Sequence, residues 1–190
     1  MIENLDDALE FYAGREKEFS LFGAPVLRRR SEAIDDLDDV ARELGLPESY
    51  VRCAKDLYME GVSLGFFELC PGDPRDLCRS LLDFNSSMSN SILPQDLLHV
   101  ANFDADIIAV PKGAPFHRMS TVYFVDITTS ERAKINAISN SFSDFIVLAS
   151  ALYEAVLEDR SDPEGILCRL LLKLGCESYA GQWRRIASMA

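Results

Sequence analysis

The chain has 190 residues, a formal charge of −12, 48% hydrophobic and 26% charged side chains. Such a balance belongs to a folded domain that needs no staples, and it excludes a disordered chain as the expectation. A surface this negative repels phosphate, so nucleic acid and anionic membranes are disfavoured partners and basic proteins are favoured ones.

Leu5, Leu9 and Tyr12 recur at helical spacing and predict a short N-terminal helix ended by Gly14. Arg28, Arg29 and Arg30 follow in a mixed segment and read as a solvated loop, with a contact to phosphate or to acidic groups as the alternative. Ser31 is the expected N-cap of the next helix, with Ile34, Leu37, Ala41 and Leu44 as its apolar stripe and Gly45 as its end. Glu32, Asp35 and Asp36 would then lie in the first turns, where the helix dipole favours anions. Pro47 suits the first turn of a second helix, with Tyr50, Val51, Ala54, Leu57 and Tyr58 inward and Gly61 at its end. Residues 62–69, apolar and aromatic, read as a strand. Pro71-Gly72-Asp73-Pro74 is a turn signal, and Asp73 is the expected cap of a helix carrying Leu77, Leu81, Leu82 and Phe84. The polar residues 85–91 read as a surface loop.

Residues 97–103 and 106–110 are β-like runs separated by an Asp-Ala turn, and residues 121–127 have the strongest strand propensity in the chain. Strands this close in sequence predict an antiparallel meander. Residues 142–158 follow as the longest helix, with Ser141 and Asp144 at capping-box spacing. Its apolar face, Phe142, Phe145, Ile146, Ala149, Leu152, Tyr153 and Val156, is expected to lie across the sheet. A second helix over 163–174 turns Ile166, Leu167, Leu170, Leu171 and Leu174 inward, Gly175 ends it, and 182–189 form another short helix. From Leu167 onward four cations, Arg169, Lys173, Arg184 and Arg185, stand against Glu177 alone, so a basic tail is expected to dock on an acidic body. The fold class is α+β, with a mixed or mainly antiparallel sheet, packed helices and a helical C-terminal extension. One domain is expected over 1–190, its core about 31–158 and the extension 160–190.

The five cysteines, Cys53, Cys70, Cys78, Cys168 and Cys176, are odd in number and show no Cys-x-x-Cys spacing. That argues against a disulfide framework and a structural zinc, and for reduced thiols in the cytoplasm. The first residues carry acids where a secretion signal needs bases, and no stretch reaches the ~20 apolar residues of a membrane span. A cytoplasmic protein is expected.

Nothing in the sequence assembles a catalytic site. His99 lies inside an apolar strand and is expected to be a hydrogen-bonded structural residue, whereas His117 follows a Pro/Gly loop and is expected to be exposed. Neither has a second ligand at metal spacing, and there is no nucleophile elbow, P-loop or dinucleotide fingerprint. Asp104 and Asp106 flank a turn, and the turn accounts for both. A small hydrolase using Asp104, Asp106 or His117 is therefore a minor rival to a non-enzymatic chain without cofactor or metal. The non-random charge feature is acidic: between Glu32 and Glu60 nine carboxylates face only Arg42, Arg52 and Lys55. Glu32, Asp36, Asp39 and Glu43 recur at spacings that put them on one outward helix stripe, where like charges repel. The stripe reads either as a solvated face or as a docking strip for a basic surface.

Several patterns occur in order: Glu43-Leu44-Gly45, Leu46-Pro47-Glu48-Ser49-Tyr50, Leu64-Gly65-Phe66-Phe67, Asp106-Ile107-Ile108, Val122-Tyr123-Phe124-Val125 and Ser141-Phe142-Ser143-Asp144-Phe145. Over residues 31–158 this order resembles the SUKH superfamily, which includes the yeast cell-wall regulators of the Smi/Knr family and many bacterial immunity proteins. The chain departs from the family in having Glu60-Gly61 where Asn-Gly is common, and Ala105-Asp106 where Gly-Asp is common. The resemblance implies an α+β domain that acts by binding rather than catalysis. As an immunity protein it would neutralise a cognate secreted toxin, often a nuclease, delivered by contact-dependent or type VI secretion. The alternative it implies is a Smi/Knr-like regulatory interaction module.

Overall fold

The computed structural model describes residues 1–21, 23–72, 75–86, 93–113, 121–128 and 133–190. The expected Asp73 cap with Pro74, most of the polar 85–91 stretch and His117 lie outside the described residues. In chain order the elements are α1 (Leu5–Ala13), α2 (Glu16–Leu21), β1 (Arg28–Arg29), α3 (Leu37–Leu44), α4 (Glu48–Asp56), β2 (Leu57–Tyr58), β3 (Phe67–Leu69) and α5 (Leu77–Asn85). They continue with β4 (Leu97–Phe103), β5 (Asp106–Pro111), β6 (Val122–Asp126), β7 (Lys134–Ser139), α6 (Phe142–Leu157), α7 (Pro163–Lys173) and α8 (Ala180–Ala187), the last preceded by one 3-10 turn.

The fold is α+β. Strands β3 to β7 form an antiparallel meander in sequence order, and β1 pairs separately with β2. Alternation along the strands sends Leu98, Ile108, Val110, Val122, Phe124 and Ile138 into the main core. Leu97, Ala109 and Val125 join a smaller apolar cluster with Leu93 on the opposite face. Helix α6 crosses the main-core face, its N-terminus held by Ser141 Oγ, which accepts the Asp144 N–H at 3.1 Å. Its burial is wider than a single face, because α1, α4 and α7 pack on it as well as the sheet. Val147, Leu148, Ala151 and Ala155 are buried, while Val156, expected inward, is 39% exposed.

The tail docks as expected. Leu167, Leu170, Leu171, Trp183 and Ile186 belong to the same core cluster as the sheet and α6. The Trp183 Nε1–H donates to the Ile138 carbonyl at 2.7 Å, with the indole fully buried. Basic side chains of the tail close the contact: Lys173 Nζ lies 2.6 Å from Glu3, and Arg185 pairs with the fully buried Asp126. The core also reaches beyond 31–158 at the other end, since Ala8 and Tyr12 of α1 are fully buried in it.

The structure corrects several local expectations. Helix α3 begins at Leu37 rather than just after Ser31, and Ile34 meets the core from outside the helix. Leu57 and Tyr58 leave α4 and pair with Arg29 and Arg28, so the basic segment is a strand rather than a loop. The expected strand over 62–69 folds back on itself at Gly65, with Leu64 N–H donating to the Phe67 carbonyl at 2.7 Å and Leu69 N–H to the Val62 carbonyl at 2.8 Å. Gly65 has φ 75°, and a Cβ there would fall 2.2 Å from the Tyr153 ring, so only glycine fits the bend. Helix α5 is capped by Asp76, whose side chain accepts the Arg79 N–H at 2.9 Å. α2 and β7 are elements that sequence patterning did not predict.

Candidate interaction surface

The acidic segment is built on a short helix with a strongly one-sided pattern. Leu37, Val40, Ala41 and Leu44 bury one side of α3, and the carboxylates occupy the other. Of the four residues expected on one stripe, all are exposed, but only Asp39 and Glu43 lie within the helix. Asp36 is its N-cap and Glu32 precedes it, so the stripe is an exposed acidic edge rather than one helix face.

Pairing divides these carboxylates. Asp39 reaches Arg42 at 2.7 Å, Asp38 reaches Lys55 of α4 at 2.7 Å, and Glu48 reaches Arg52 at 2.7 Å. Glu32, Asp35, Asp36 and Glu43 have no ion pair among the described residues. Two of these four also occupy positions that carry a cost for the fold. Asp36 holds φ 64° and makes no side-chain cap bond, a left-handed conformation that Asp tolerates better than most residues but that still strains the chain. Glu43 stands in the last turn of α3, the end at which the helix dipole disfavours an anion. The Lys55–Asp38 pair bridges α4 to α3, and buried Leu37 and Leu44 seat the helix, so the free carboxylates project from an anchored support.

The neighbouring charged groups behave differently. Arg30 donates from its terminal nitrogen to both oxygens of Glu60, at 2.7 and 2.6 Å, and from Nε to the Ala54 and Leu57 carbonyls. Glu60 also accepts the Met59 N–H at 2.8 Å, and both side chains are nearly buried. Arg28 and Arg30 stack over the Tyr58 ring. This cluster ties β1 to the end of α4.

The remaining candidates for chemistry are structural. His99 is buried against Phe84, and its Nε2 lies 2.6 Å from Asn102 Oδ1. Burial holds its pKa below the ordinary 6.5, outweighing the opposing bond to Asn102. Asp106 Oδ1 accepts the N–H groups of Ile127 and Thr128 and the Thr128 hydroxyl, tying the end of β6 to the start of β5. Asp104 is exposed beside it at φ 52°. All five cysteines are free thiols, and burial pushes Cys53 and Cys70 up to about 12, which leaves them protonated and unreactive. Among the described residues no group of three or more His, Cys, Asp or Glu side chains is placed to hold a metal ion. No helix among them is long and apolar enough to cross a membrane.

Compared with protein-family models, with curated proteins and with solved structures, the chain finds no match. What fold and surface define together is an α+β domain with a supported, partly unpaired acidic edge.

Proposed function

We propose that this chain is an immunity protein of the cytoplasm, which binds a basic cognate toxin domain through the acidic edge and neutralises it by contact, without catalysis. The observation that carries the reading is the set of unpaired carboxylates Glu32, Asp35, Asp36 and Glu43. A surface shaped by stability and solubility alone would place acids at helix starts, use them as caps and pair them with its own cations; here Glu43 does none of these, and Asp36, though at a helix start, makes no side-chain cap bond and has no ion pair among the described residues. Unpaired charge on an anchored support raises the rate at which a basic partner is captured and aligns it before contact.

The resemblance supports the same reading. Its Leu-Pro-x-x-Tyr pattern begins α4 and its Ser-Phe-x-x-Phe pattern begins α6, and the two meet in the core, with the Tyr50 and Phe142 rings 4.7 Å apart. Those motifs build the support, and the charge lies on the surface they hold in place. A basic toxin surface suits an enzyme that must itself bind phosphate, so nucleases are the first class to test.

The test is to express the toxin domain encoded beside this gene, with and without the chain, and to follow both growth and nucleic-acid integrity. Protection together with a stable complex of the two purified proteins is the expected result. A chain that gives no protection and instead binds several cellular proteins weakly would favour the Smi/Knr-like regulatory module.

A further inference from the structure

We draw no further inference here: the strongest candidate, the half-open hollow beside α7 walled by Ile2, Ile166 and Leu170 and rimmed by Arg169 and Lys173, carries nothing, because both cations stand in solvent, Lys173 is already paired with Glu3, and no buried unpartnered polar group among the described residues lines it to point to a ligand.

Discussion

Two charged stretches adjoin each other in the chain and meet opposite fates. Arg30 is drawn into the structure, where Glu60 and two backbone carbonyls accept hydrogen bonds from it, whereas the six acids from Glu32 to Glu43 stay in water and four of them find no ion pair among the described residues. The difference lies in what each charge is attached to. Arg30 follows a strand that must cross the end of α4, so its guanidinium has nowhere else to go and requires Glu60. The α3 acids sit on the outer side of a helix already held by four buried apolar residues, so the fold asks nothing of them. Charge held in place by the core is there for structure, and charge the core leaves idle is available to a partner.

The strongest way to break this comparison is to remove one member of the buried pair. Arg30→Ala or Glu60→Ala should cost ~3–5 kcal/mol, because each leaves an uncompensated charge inside. The apolar double replacement Arg30→Met/Glu60→Leu should recover most of that loss. Urea unfolding of the three variants decides it, and a loss below about 1 kcal/mol in both single variants would mean the pair is solvated after all.

A smaller effect is expected at His99. Its folded pKa lies below the ordinary 6.5, so the unfolded chain takes up the proton first as pH falls. The contribution of neutral His99 is intact above about 6.5 and is lost as pH drops from there toward the folded pKa. Melting temperatures between pH 7 and 5 should fall more steeply for the wild type than for His99→Gln.

On the exposed side the effects shrink and then change sign. Arg42→Ala, which frees Asp39, should cost no more than ~0.2–1 kcal/mol. Glu43→Gln should stabilise the protein by ~0.3–1 kcal/mol, since it removes an anion from the unfavourable end of α3. A clear destabilisation in that variant would mean Glu43 serves the fold and not a partner.

How far these roles could be read from the sequence depends on where the decisive contacts lie. Helix α6 and the strands β4 to β6 were legible because their apolar patterns are long and their caps and turns are local: Ser141 caps α6, and Asp104-Ala105 joins β4 to β5. Basic side chains on an apolar tail foretold docking, and Trp183, Lys173 and Arg185 make it. The start of α3 was misplaced because Ile34 falls at helical spacing from Leu37 although it reaches the core from outside the helix. β7 was missed because Lys134-Ile135-Asn136-Ala137 mixes polar and apolar residues at a sheet edge, where burial demands little. The buried role of Arg30 could not be read locally, since Glu60 lies far along the chain and three adjacent arginines look solvated. The acidic edge was legible as composition, whereas which carboxylates remain unpaired required the positions of Arg42, Arg52 and Lys55.

The central claim is that the idle carboxylates serve a basic partner, and the most direct measurement is the association rate with the toxin domain as a function of salt. Wild type should be compared with Glu32→Lys/Asp36→Asn/Glu43→Lys, in which Asn respects the left-handed backbone at position 36. The account predicts a melting temperature equal to or above that of the wild type. It also predicts association about tenfold slower at low salt, a flatter salt dependence and weaker protection of cells. Unchanged association and full protection by the variant would contradict it and leave the acidic edge as a solvated surface.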